Sequence, residues 1–250
     1  MTGIGGERGA GSGVSWSVVR IASGRTAPRS LLTLALALAL GLGAPLLSAQ
    51  AGHDPAHSPY HDIQHGNTVR LVAGYLWGSR GDVPVGPSDG ALYGIRDDYP
   101  ISNVLTLVGE ASYVTTTSQY VSPFDSVPVF RGPVSNPLVL VDGGARVTFT
   151  GAKTWHSIAP YVGVYVGFAI GGNIAADTSG NDFGTKFLVS SGLGFVWHPA
   201  NRFSVDTDFR LVFWKLSYPP SYQPKLIPFT KDLGDWTTHP TLTIGAGWTF

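Results

Sequence analysis

Hydrophobic positions along this chain recur with a period of two. The stretch 241–250 shows it plainly: Leu242, Ile244, Ala246, Trp248 and Phe250 alternate with Thr241, Thr243, Gly245, Gly247 and Thr249. An apolar face backed by a small or polar one predicts a strand lying between two different media. Eight segments carry the pattern, at 68–78, 90–100, 104–116, 137–150, 158–171, 186–198, 202–215 and 238–250. Each is long enough for the ~9–11 residues with which a tilted strand crosses hydrocarbon. The connections alternate as well. Those at 99–103, 151–157 and 199–202 are short, whereas 79–89, 117–136, 172–185 and 216–237 are longer and rich in Pro, Gly, Ser and Asp. The expected fold is all-β: an eight-stranded antiparallel up-and-down transmembrane β-barrel with short periplasmic turns and long extracellular loops.

The two parities of the segments have different chemistry. One collects Val69, Leu71, Tyr75, Trp77, Tyr93, Ile95, Leu107, Val141, Val164, Phe195, Phe209 and their neighbours, with only Asp97 and Lys215 charged, both near predicted strand ends. The other collects Arg70, Arg96, Asp98, Glu110, Asp142, Arg146, Asp206, Asp208 and Arg210. Eight strands leave an interior just wide enough for side chains, and an unpaired buried charge is costly. The nine charges are therefore expected to form an internal salt-bridge network that plugs the barrel, in preference to a proton relay or ion path. Aromatic residues fall toward both ends of the segments, as two interfacial girdles would require. A soluble eight-stranded barrel would invert this arrangement, with the apolar face inside.

Composition changes the picture in three places. Charged residues are only 13% of the chain, Gly numbers 33, and mean hydropathy is a modest +0.12, which suits strands with one polar face better than membrane helices. There is no Cys, so neither disulfides nor thiol chemistry contribute. The one long apolar run, 31–47, follows Arg20, Arg25 and Arg29 and ends in Ser48-Ala49-Gln50-Ala51. Residues 1–51 thus read as a signal peptide cut after Ala51, 52–67 as a periplasmic segment and 68–250 as the barrel. Removing the leader leaves twelve basic and fifteen acidic residues, which gives no reason to expect nucleic acid.

In its strand pattern, in turns such as Tyr99-Pro100-Ile101-Ser102-Asn103-Val104 and in Gly247-Trp248-Thr249-Phe250, the stretch 68–250 resembles the small outer-membrane β-barrel family that includes the outer-membrane protein A transmembrane domain. The resemblance implies residence in the cell outer membrane as a monomer, contact with its lipid and lipopolysaccharide, and recognition of Trp248 and Phe250 by the barrel-assembly machinery. It leaves activity open, since fold does not imply function. A structural or surface-interaction role is expected, with an extracellular partner engaged through 117–136 and 216–237, whose Pro and aromatic content suits surface contacts. The alternatives are a narrow pore or carrier for small apolar compounds and a lipid A-modifying acyl hydrolase or transferase.

Candidate chemistry is sparse. His53, His57, His61 and His65 recur every four residues and would share a helix face able to bind metal, but Pro55 and Pro59 oppose that helix and a solvated segment is expected. Trp155-His156-Ser157-Ile158 is the nearest approach to an acyl-hydrolase motif, with the wrong spacing and in a predicted periplasmic turn. His239 is the one His near the outer rim, read as a rim residue beside Pro240, and His198 is read as a lumen residue. The run 177–182 clusters oxygen ligands without the spacing of a calcium loop and reads as a surface turn. No catalytic residue, cofactor or metal is expected.

Overall fold

The computed structural model describes residues 58–64, 66–122, 128–223 and 225–250. Twelve strands are described: β1 (Tyr60–Asp62), β2 (Thr68–Leu76), β3 (Gly90–Pro100), β4 (Leu105–Thr115), β5 (Thr117–Val121), β6 (Phe130–Ser135), β7 (Leu138–Thr148), β8 (Lys153–Trp155), β9 (Ile158–Gly171), β10 (Thr185–Trp197), β11 (Phe203–Ser217) and β12 (Gly234–Thr249). Eight of them, β2, β3, β4, β7, β9, β10, β11 and β12, pair antiparallel with their neighbours, and β12 returns to β2 to close the barrel. These are the eight predicted segments; the last begins at Gly234, earlier than the expected 238. Closure leaves no open edge, so the backbone polar groups of the wall are satisfied by the ladder itself, as hydrocarbon demands.

The wall exposes apolar side chains on its outside. Leu71, Val164 and Leu193 are 71%, 64% and 59% exposed, and Ile95, Val166, Phe168 and Ile244 stand in the same belt. Tyr75, Trp77, Tyr93 and Tyr113 lie toward one end and Tyr99, Phe149, Trp197, Phe203 and Trp248 toward the other. An apolar surface encircling the whole molecule is incompatible with water and matches a bilayer. No helix among the described residues is long and apolar enough to cross a membrane; the crossing is made by strands.

The two ends differ. At one, short connections join β3 to β4 and β10 to β11, while β7 reaches β9 through β8. Trp155 pairs with Ile158 across His156 and Ser157, whose φ angles of 50° and 65° make a two-residue turn of the kind that matches strand twist. β1 lies alongside β8 at this end. At the other end the segment expected as a loop at 117–136 contains an antiparallel hairpin, β5 with β6. The expected loop at 216–237 is shortened by β11 and β12, which continue their pairing out to Ser217 and Gly234, and holds a 3₁₀ turn at Pro220–Tyr222.

The loops at this end interlock. Ser88 bonds Thr117, Ser179 bonds Tyr222, Ser221 donates to the Ser179 carbonyl, and Lys231 pairs with Asp82. Val83, Val85, Tyr218, Tyr222 and Ile227 are buried beneath them in one cluster with lumen residues Leu76, Leu92, Val114, Leu138, Leu188 and Trp214. Burial pushes the Tyr218 and Tyr222 phenols up to about 12, so both stay neutral under the lid. The leader, His53, His57 and His65 lie outside the described residues. His61 is exposed on β1 and pairs in register with Thr154.

Candidate functional site

Strand alternation sends Arg70, Arg96, Asp98, Glu110, Asp142, Arg146, Asp206, Asp208 and Arg210 to the inside of the wall, and ladder register stacks them in the half nearer the short turns. Arg96 stands at the centre, 1% exposed. Its Nε donates to Glu110 Oε2 at 2.8 Å, its Nη1 to Asp206 Oδ2 at 2.8 Å, and its Nη2 lies 3.1 Å from Asp208 Oδ2. Below it, Asp98 Oδ2 accepts from Arg70 Nε at 2.6 Å and Arg146 Nη2 at 2.7 Å, while Arg146 Nη1 reaches Asp206 at 3.3 Å. Above it, Arg210 donates to Asp208 at 2.8 Å and Asp142 at 3.3 Å and lies 3.0 Å from Glu110. Each guanidinium thus meets at least two carboxylates, the forked geometry in which buried charges offset one another most fully.

The sequence pattern of charges did not reveal the neutral groups that complete this network. Tyr161 donates to Asp206 Oδ1 at 2.7 Å, Ser112 to Glu110 Oε1 at 2.7 Å, and Ser204 accepts from Arg70 Nη1 at 2.7 Å. The Arg210 guanidinium lies 3.8 Å from the Tyr165 ring centroid and that of Arg146 4.7 Å from Tyr161. Glycine makes the room. A Cβ on Gly192 would sit 2.7 Å from Arg210 Cγ, and one on Gly247 2.6 Å from Arg70 Cγ. Asp98 Oδ1, Asp208 Oδ1 and the Tyr165 hydroxyl are buried without a hydrogen-bond partner.

The expected salt-bridge network occupies the half of the lumen nearer the short turns and does not extend through the rest of it. The half nearer the long loops is apolar, packed with Val72, Leu76, Leu92, Val114, Leu140, Val212 and Trp214. His239 belongs to this half and is no rim residue: it is fully buried, stacked 3.7 Å from Trp214, with Nε2 2.7 Å from Thr237 Oγ1 and Nδ1 accepting from the Ser79 N–H at 3.0 Å. With Nδ1 accepting, the ring carries its proton on Nε2 and directs it to Thr237, whose hydroxyl donates to the Trp214 carbonyl at 3.2 Å, so neither nitrogen has a free lone pair with which to act as a base. His198 sits at the turn after β10, where burial and then Arg70 and Arg146 hold its imidazole down to about 4 and so neutral. Asp177 and Asp182 each accept from a backbone N–H two residues on, the geometry of Asx turns. Among the described residues, no group of three or more His, Cys, Asp or Glu is placed to hold a metal. Trp248 faces outward, and Phe250 is exposed, with its N–H donating to the Asn67 carbonyl at 2.9 Å.

No protein-family model matches the chain, and no curated protein matches it. Solved structures do. Neisserial surface protein A is 14% identical and aligns over 74% of this chain and 98% of its own, with a TM-score of 0.52. The fold is that of a small outer-membrane barrel. The outer membrane protein OprG from Pseudomonas aeruginosa (10% identical, 77% and 99% covered, TM-score 0.48) and the attachment invasion locus protein Ail of Yersinia pestis (13%, 75% and 100%, 0.39) also match. At these identities the likeness speaks to fold, and the TM-score above one half belongs to the first. With its lipid-facing belt and closed wall, this small barrel is a membrane-spanning protein of the outer-membrane class.

Proposed function

We propose that this protein is a non-conducting, non-enzymatic outer-membrane barrel that serves as a rigid membrane-embedded support for its interlocked long loops, with a structural or surface-interaction role. The observation that carries this reading is a lumen blocked in both of its halves. Four guanidiniums and five carboxylates occupy one half, and an apolar cluster continuous with the buried loop residues Val83, Val85, Tyr222 and Ile227 occupies the other. Such an interior leaves no path for a solute. The loops carry Phe130, Phe229 and Trp236 exposed above this support, and 117–136 and 216–237 are the segments offered to an extracellular partner or to lipopolysaccharide. Recognition of the outward-facing Trp248 and Phe250 by the assembly machinery belongs to the same reading.

Neither alternative gains support from the side chains. A carrier for apolar compounds needs an apolar cavity, and the apolar half is packed; an acyl hydrolase needs a base that can take the nucleophile's proton, and the buried His239 has its Nδ1 lone pair taken by the Ser79 N–H and its Nε2 proton directed at Thr237. The test is reconstitution of the folded protein into planar bilayers. Absence of discrete conductance steps, together with a boiling-dependent gel shift, is the expected result; reproducible channel openings would overturn the closed-lumen reading.

A further inference from the structure

The chain ahead of β2 does not lead straight away from the barrel. The Asn67 carbonyl accepts from the Phe250 N–H at 2.9 Å, and a Cβ on Gly66 would collide with the Phe250 carbonyl, so this stretch hugs the end of β12. Yet β1 pairs with β8, whose Trp155 turns directly into β9. β2 and β9 stand on opposite sides of the closed wall, with β3, β4 and β7 between them one way and β10, β11 and β12 the other. Between β1 and β2 the chain therefore crosses the mouth of the barrel at the short-turn end. Beneath the crossing lies a cavity of about 80 Å³, enough for several waters at the ~10–15 Å³ that one requires. Ile63, Gln64 and Gly66 line it from the crossing side, and Arg70, Asp98 and Arg146 from the lumen side.

The crossing is held lightly. None of residues 58–64 is buried. Its far end is fixed by the ladder of Tyr60–Asp62 with Lys153–Trp155, extended by the Ile63 N–H donating to the Ala152 carbonyl and the His156 N–H to the Pro59 carbonyl, both at 2.9 Å. The Asp62–Lys153 pair adds little, at 4.0 Å with side chains 86% and 59% exposed. Exposed backbone hydrogen bonds with little apolar burial open at a small free energy, while a continuous buried ladder does not. We propose that residues 58–64 form a strap that gates aqueous access to the charged half of the lumen. Paired with β8, it covers the vestibule above Arg70, Asp98 and Arg146; released, it admits water and small solutes to that vestibule while the wall stays closed. The apolar half is untouched by this opening, so no path through the barrel forms and the closed-lumen reading does not depend on the strap.

The chain has no Cys, so a single introduced thiol reports access. Ala159 lines the vestibule and is 3% exposed, whereas Ala200 is exposed in the turn between β10 and β11. Ala159→Cys and Ala200→Cys, each in the full chain folded in detergent, are treated with a small water-soluble methanethiosulfonate. Slow modification is expected at the first and fast modification at the second. His61→Pro removes the N–H at the centre of β1, which a ladder does not tolerate. It is expected to keep the boiling-dependent gel shift and to speed modification of Ala159→Cys roughly five- to tenfold, the effect of one lost backbone hydrogen bond. Thr148→Cys, on the same vestibule, serves if Ala159→Cys does not fold. Equal rates at vestibule and turn, a vestibule rate unmoved by His61→Pro in the folded barrel, or loss of the gel shift in His61→Pro would each overturn the proposal.

Discussion

The two halves of the lumen solve the same packing problem with opposite chemistry. Toward the short turns, four arginines and five carboxylates mesh at separations of 2.6 to 3.9 Å, screened from water by the wall and by Tyr161 and Tyr165. Toward the long loops, Trp214 packs against Phe183 and His239 among aliphatic side chains, and the loops close over them. The apolar half draws its stability from area removed from water and tolerates modest changes of shape. The charged half depends on completeness, since each ion was desolvated at a cost that only its partners offset. Removing one member should therefore be worse there than removing an apolar neighbour of similar size.

The largest effect is expected at Arg96. Replacement by Ala strands Glu110, Asp206 and Asp208 around a void, and breaking buried pairs of this kind costs about 3–5 kcal/mol. Reversible urea unfolding in detergent or lipid vesicles reads it directly. Arg96→Met with Glu110→Gln, which removes charge from both sides, should recover part of the loss. A lumen indifferent to Arg96→Ala would mean that neither the charge nor the volume of Arg96 contributes, and the contrast between the halves would fail.

The apolar half should answer through volume. Leu138→Ala removes a fully buried side chain from the cluster, and about 2–5 kcal/mol is the usual range for such a truncation. Leu138→Met should cost under about 1.5 kcal/mol, because volume is conserved. The same pair of substitutions has no analogue in the charged half, where Arg96→Lys keeps the charge but loses the fork. Measured side by side, conservative replacements separate a half held by volume from one held by geometry.

How legible these halves were in the sequence differs for a physical reason. The wall was readable because lipid enforces one apolar parity along every strand, from Val69, Leu71 and Ala73 to Leu242, Ile244 and Ala246. The charged half was readable because Arg and Asp at inward positions have nowhere else to point. In the apolar half both parities are hydrophobic, so alternation fades: Leu138-Val139-Leu140-Val141 and Leu211-Val212-Phe213-Trp214 are unbroken runs. Such runs mark strands buried on both faces, and that signal was available at Leu140, Val212 and Trp214. Contacts between distant loops were not available. Nothing local to Ser79 or Thr237 announces that they will hold His239, and nothing in 117–136 alone separates a hairpin from a coil.

The smallest effect is expected where charge pairs again, but in water. Lys231 and Asp82 join two of the long loops above the apolar half, and their side chains are 54% and 46% exposed. The Asp82 carboxylate raises the Lys231 ammonium above its ordinary range, which marks attraction, but exposure lets solvent screen it. Lys231→Ala should change global stability by less than about 1 kcal/mol, since exposed pairs are worth about 0.2–1 kcal/mol, and high salt should mimic it. The loops have a second tie in the Asp82 N–H donated to Asp235 Oδ2 at 2.9 Å. Hydrogen exchange should therefore rise in 81–83 and 229–233 while the lumen stays protected. The same two charges that would be indispensable beside Arg96 are expendable here, because what fixes the value of an ion pair is how much water it has lost.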